Sequence, residues 1–207
     1  MKPWLLDILA CPIDKYFPLD LYIFSYETKE EEFKEILNFF ENRDLDLIKK
    51  ENIIEIHKEK GKIYIRDDIA IEKSLLDTYL NLIISSIKEV NYIHDKSSLK
   101  LSKQCFNIIK HDIKDKITNF SNNLEFEQIE NILPELYFLN KIKIEIEVET
   151  GLLFCSECMR WYPIVETIPQ MLPDEYRDEK AEIKFLKTNK DLLDNAFFKQ
   201  NLKPFNI

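Results

Sequence analysis

The sequence predicts an α+β protein in which both ends of the chain build one small antiparallel sheet domain around a largely helical insertion. Three observations predict it. A short apolar run, Leu5-Leu6-Asp7-Ile8-Leu9-Ala10, leads into Cys11-Pro12, and a Cys-x-x-Cys pair, Cys155 and Cys158, stands far downstream between two apolar arms. Residues 19–26 and 141–149 alternate in the two-residue period of strands. The stretch between them carries helical spacing instead. Tetrahedral zinc takes ligands in pairs from two tight turns, so Cys155 and Cys158 are half of a zinc knuckle. Cys11 and a neighbour must supply the other half. The terminal domain is therefore expected to be zinc-ribbon-like, with the two ends folded together.

Each element has its own warrant. Residues 4–10 form one or two helical turns that Pro12 ends. In 19–26, Leu19, Leu21 and Ile23 fall on one side. Asp20, Tyr22 and Phe24 fall on the other, a side unusually apolar for one facing solvent. Residues 29–41 place Phe33, Ile36, Leu37 and Phe40 at i, i+3, i+4 and i+7. Residues 53–56 and 63–65, joined by Lys58-Glu59-Lys60-Gly61, read as a hairpin. Helices are expected at 71–90, at 99–120 with Cys105, Phe106, Ile109, Ile113 and Ile117 on one face, and at 125–139 with a break at Pro134. The alternation of Ile142, Ile144, Ile146 and Val148 with Lys and Glu predicts a strand. Residues 152–154 and 159–164 are the arms of the knuckle. An amphipathic stretch with Ile183, Phe185, Leu186, Leu192, Leu193, Phe197 and Phe198 closes the chain. The expected division is 1–28 with 140–175 as the knuckle domain, 29–139 as the helical insertion and 176–207 as a helical tail.

Composition removes several functions. Only two glycines occur, Gly61 and Gly151, so neither a dinucleotide fingerprint nor a P-loop exists. No S-adenosylmethionine loop is recognisable either. The net charge is −9 with Lys and Arg interleaved among Asp and Glu, which disfavours unassisted nucleic-acid binding, because neutralising phosphates needs clustered cations. No apolar run is long enough for a membrane span. The N-terminal stretch is too interrupted for a signal peptide, so a cytoplasmic protein is expected.

Four cysteines in such a chain favour metal or burial over disulfides, except in a hyperthermophile, where Cys11 could bridge Cys155 or Cys158. The first turn runs Cys11-Pro12-Ile13-Asp14 where a knuckle usually has a second cysteine. The candidate ligands are Cys11, Asp14, Cys155 and Cys158, and the fourth position is open between Asp14 and water. Without metal, packing of Trp4, Phe154, Trp161 and Tyr162 would have to hold the knuckle. Cys105 is expected to be a buried small hydrophobe. His57, His94 and His111 form no ligand pair, and no catalytic constellation is present.

The pattern resembles the Trm one-twelve family of methyltransferase activator subunits, in its archaeal-type form. The matching residues are the Leu5–Pro12 start, Phe17-Pro18-Leu19, Gly151, Cys155-x-x-Cys158, Tyr162-Pro163-Ile164 and Ile168-Pro169-x-Met171-Leu172-Pro173. They cover about a third of the chain. The resemblance implies a non-catalytic subunit that forms a heterodimer with a class I S-adenosylmethionine-dependent methyltransferase and keeps it soluble and active. The clients implied modify tRNA, rRNA or a translation release factor. RNA or release factor would be met only through the partner, and this chain alone would bind no S-adenosylmethionine. The resemblance also implies docking by a strand of the knuckle domain onto the partner's sheet. The chain departs from the eukaryotic pattern at the second ligand position.

The residue types agree with docking. Aromatic and apolar side chains on a sheet edge suit an interface. The candidates are Tyr22, Phe24, Trp161, Tyr162, Ile168, Pro169, Met171 and Leu172. The competing readings are a zinc-ribbon module binding RNA or the translation machinery directly, which the acidic charge opposes, and an enzyme with a pocket of scattered residues.

Overall fold

A computed structural model describes residues 1–123 and 126–207. In chain order the strands are β1 (Asp20–Tyr26), β2 (Glu55–Glu59), β3 (Lys62–Arg66), β4 (Ser74–Leu75), β5 (Ile93–Asp95), β6 (Val148–Phe154), β7 (Trp161–Val165) and β8 (Ile168–Pro169). The α-helices are α1 (Glu30–Asn42), α2 (Leu45–Glu51), α3 (Leu76–Glu89), α4 (Lys100–Ile108), α5 (Lys114–Asn123), α6 (Leu133–Asn140), α7 (Glu179–Thr188) and α8 (Asn195–Phe198). The fold is α+β, and its strands pair mainly antiparallel. Two compact units divide it. One comprises Met1–Thr28, Tyr92–Leu99 and Glu147–Ile207; the other comprises Lys29–Asn91 and Lys100–Ile146.

The first unit is a five-stranded sheet in the order β5-β1-β6-β7-β8. The sequence joins residues 92–99 to the insertion, yet Leu21, Tyr22 and Ile23 of β1 pair in parallel with Ile93, His94 and Asp95 of β5. That triplet is too short to announce itself as a strand. On its other side β1 pairs antiparallel with β6, where Ile23 faces Gly151. Glycine is required there. A Cβ on Gly151 would stand 2.6 Å from the Tyr22 carbonyl oxygen and 3.3 Å from Ile164. Gly151→Ala should therefore destabilise this unit by about 1–3 kcal/mol, the usual cost of forced overpacking. Urea unfolding checks it, and an unchanged midpoint would contradict the close approach.

The apolar outer side of β1 is covered by the end of the chain. Phe24, Leu152, Phe154 and Trp161 pack with Leu186, Leu193, Phe197 and Leu202 in one buried cluster. Phe197 meets Tyr22 and Phe154 edge-on, with ring centroids 5.6 and 5.2 Å away. The chain then returns to the sheet. Lys203 bridges to Arg160, and the Trp161 indole donates to the Phe205 carbonyl at 3.1 Å. The stretch expected as a helical tail, 176–207, packs into this unit's core, because β1, β6 and β7 otherwise expose large apolar side chains that need cover.

In the second unit α1 starts at a capping pair, the Lys29 N–H donating to the Glu32 carboxylate at 3.0 Å, and α2 starts at Asp44, which accepts from the Leu47 N–H at 3.0 Å. The hairpin forms as β2 and β3. The stretch 99–120 is one helical run, α4 and α5 joined by a π-helical turn at Ile109–Ile113. Its expected face is buried, with Cys105, Ile109, Ile113 and Ile117 fully so. α3 packs against α5. Every residue of α6 is buried. Its Glu135 is compensated by Arg43 at 2.7 Å and Lys116 at 2.9 Å. The expected start of a third helix at Glu125 lies outside the described residues, and a 3₁₀ turn at Phe126–Ile132 precedes α6.

One element differs in kind. The expected strand 141–149 is a π-helical turn, Lys141–Glu145, followed by β6, which begins only at Val148. Alternation required Lys143 to face water. Instead Lys143 is 1% exposed, its ammonium held by the Ser86 carbonyl at 3.0 Å and hydroxyl at 2.7 Å. Lys141 and Glu145 pair at 2.7 Å, one helical turn apart. Tertiary partners overrode a strand-like pattern.

Candidate metal centre and sheet edge

Two loops of the first unit build the site, and they have the same geometry. In one, the Cys11 N–H donates to the Tyr16 carbonyl at 2.9 Å and the Lys15 N–H to the Cys11 carbonyl at 2.9 Å; Lys15 is left-handed at φ 62°. In the other, the Cys155 N–H donates to the Arg160 carbonyl at 2.8 Å and the Met159 N–H to the Cys155 carbonyl at 2.9 Å; Met159 is left-handed at φ 60°. Cys11 therefore corresponds to Cys155, and Asp14 to Cys158. Asp14 stands in its loop where Cys158 stands in the other.

The ligand atoms of Cys11, Asp14, Cys155 and Cys158 all lie within 4.8 Å of one another. The Cys11 and Cys158 sulfurs are 3.7 Å apart, and the Asp14 oxygens are 3.5 and 3.6 Å from the Cys155 sulfur. A tetrahedral zinc with bonds of about 2.3 Å to sulfur and about 2.0 Å to oxygen needs edges of roughly 3.8 and 3.5 Å. The donor set fits a metal ion of that kind. The cysteines are free thiols at this separation, not disulfides.

Electrostatics separates the ligands. Burial pushes the Cys155 and Cys158 thiols up. It also acts to raise Asp14, but hydrogen bonds from the Tyr16 N–H and the three thiols outweigh it and hold this carboxyl at about 2. Asp14 is thus an anion ready to ligate, while the thiols must lose protons to do so.

The candidate docking residues fall in two groups. Trp161 and Tyr162 are fully buried, Phe24 is 6% exposed, and Tyr22 is half-buried against Phe197 and stacked on His94. Their side chains belong to the unit's own core. Ile168 is 60% exposed and Leu172 43%, with Pro169 and Met171 half-buried beside them. β8 pairs through Ile168 and Pro169 with β7, and among the described residues no strand lies on its outer side. The turn that delivers it runs through Glu166 and Thr167, both left-handed, at φ 48° and 67°. His57 and His94 face Glu55 at 3.3 Å and Asp20 at 2.9 Å, ordinary polar packing.

Sequence reasoning missed Arg177. It lay in a charged run that nothing distinguished from a solvated surface. Its side chain is in fact fully buried, paired with Glu182, donating to the Trp161 carbonyl at 2.7 Å and lying over the Trp161, Tyr162 and Phe205 rings at 5.2–5.7 Å.

These features define a class: a sheet unit with a paired-loop cluster of candidate metal ligands and an apolar open edge. The family model for Trm112p-like proteins matches residues 2–166, and the chain belongs to that family. Its members are non-catalytic activators of methyltransferases. No curated protein and no solved structure gives a match. Among the described residues no helix is long and apolar enough to cross a membrane.

Proposed function

We propose that this chain is the activator subunit of a class I S-adenosylmethionine-dependent methyltransferase that modifies tRNA, rRNA or a translation release factor. It forms a heterodimer through β8 and the residues after it. Membership of the family supports the activator role. The observation that carries the docking surface is the open edge at β8, where Ile168 and Leu172 stand exposed together with Val165 of the neighbouring β7, beside a sheet whose other large apolar side chains are mostly covered. An edge of this kind invites a partner strand, with backbone hydrogen bonds giving affinity and flanking side chains giving specificity. The lone pairs of Cys11, Asp14, Cys155 and Cys158 hold zinc, which cross-links the two loops and supplies no reaction chemistry. The edge is apolar, so moderate salt leaves the complex intact.

Ile168→Asp should abolish co-purification of the methyltransferase. Ile168 is already solvated, so the free protein stays folded, whereas a carboxylate buried under the partner costs several kcal/mol. Pull-down from cells with mass spectrometry, beside circular dichroism of the purified variant, reads both. Retention of the methyltransferase by the variant would sink this surface. RNA recovered without any methyltransferase would favour the direct RNA-binding reading.

A further inference from the structure

The four ligands are backed by two groups that no metal reading of the sequence included. The Tyr162 hydroxyl lies 3.3 Å from the Cys11 sulfur, on a residue with no exposed surface. Arg160 follows Cys158 by two residues at the close of the same loop, and the Asp174 carboxylate grips its Nε at 3.1 Å and Nη2 at 2.8 Å. We propose that Tyr162 and Arg160 are positioning residues of the metal centre, each donating a hydrogen bond to a ligand thiolate, and that the chain beyond residue 173 holds both in place. This rests on the reading that the cluster takes zinc.

The chemistry requires such donors. Three thiolates and a carboxylate bring four negative charges against the two positive charges of zinc. A thiolate can only accept, so the Tyr162 hydroxyl must donate to it. That hydroxyl is too buried to exchange this bond for one to water. Arg160 adds a cation beside Cys158, the least buried of the three thiols. Hydrogen bonds of this kind fix ligand orientation and tune affinity.

The supports come from one place. Asp174 clamps Arg160. Arg177 lies over the face of Tyr162 at 5.2 Å and is itself fixed by Glu182 and the Trp161 carbonyl. Asp174, Arg177 and Glu182 all fall beyond residue 166, where the match to the family ends. The C-terminal segment is therefore part of the metal centre's frame as well as cover for the sheet.

Competition titration of zinc against a chromophoric chelator, with the full chain, tests this. The wild type should bind one equivalent. Tyr162→Phe and Arg160→Gln should each weaken binding by about tenfold to a hundredfold. Asp174→Asn should fall between them and the wild type, and Arg160→Lys should recover part of the loss. Cobalt(II) provides a second readout, since losing a donor to a thiolate shifts the sulfur-to-metal charge-transfer bands. The unfolding midpoint of metal-free Arg160→Gln should stay near that of the metal-free wild type. If the wild type binds one equivalent and both variants bind within twofold of it, the positioning role is wrong while the metal site stands. If the wild type with all four ligands binds no zinc, both readings fall.

Discussion

Cys155→Ser is expected to weaken the protein's hold on zinc by about a hundredfold and to loosen its knuckle loops. Four-ligand structural zinc sites contribute about 10–16 kcal/mol, so losing one thiolate removes roughly 3 kcal/mol, or about a hundredfold in affinity. Cys155 is fully buried, and its backbone closes the loop that carries Cys158 and Met159. The unit should remain folded, because its aromatic cluster does not include the ligands. Thermal melts with zinc present and after chelation should therefore differ less for the variant than for the wild type. Asp14→Cys is the opposite case. It restores a fourth thiolate at a position with knuckle-loop geometry, and should bind zinc more tightly than the wild type. Equal affinity in Asp14→Cys and wild type would show that Asp14 is no weaker a ligand than cysteine. An unchanged zinc affinity in Cys155→Ser would show that the cluster is not the binding site.

Arg177→Ala should be the most destabilising single substitution away from the ligands. It leaves the Glu182 carboxylate buried without its partner and opens a void among Trp161, Tyr162 and Phe205. Breaking a buried ion pair from one side costs about 3–5 kcal/mol. The double variant Arg177→Met with Glu182→Leu separates the two effects. A buried pair is often no more stable than an apolar pair of like volume, so the double variant should regain most of the loss. Chemical denaturation of the three proteins decides it. A single variant within 1 kcal/mol of wild type would mean water reaches the pair. A double variant as unstable as the single would mean the Trp161 carbonyl bond and ring contacts carry the energy.

The candidate ligands were legible from spacing because a knuckle is a local device: one tight turn fixes Cys155 and Cys158, another fixes Cys11 and Asp14. Spacing could not choose Asp14 over water. The matching loops favour Asp14, since the backbone of 11–16 copies that of 155–160 hydrogen bond for hydrogen bond. The docking edge was half legible. Residue type grouped Trp161 and Tyr162 with Ile168 and Leu172, but type does not report which side chains the rest of the chain covers.

By itself the sequence determined the α+β class, the ligand cluster, the helical faces around Cys105, Ile109, Ile113 and Ile117, and the family. All of these rest on short-range periodicity or on side-chain chemistry that the environment does not change. Only the tertiary structure decided the rest. It placed 93–95 beside β1, folded residues 141–145 as a helical turn because Lys143 found Ser86, and laid 176–207 over the sheet, burying Arg177 with Glu182. Each of those outcomes depends on which distant partner satisfies a buried polar group or covers an apolar face, and no local pattern encodes that.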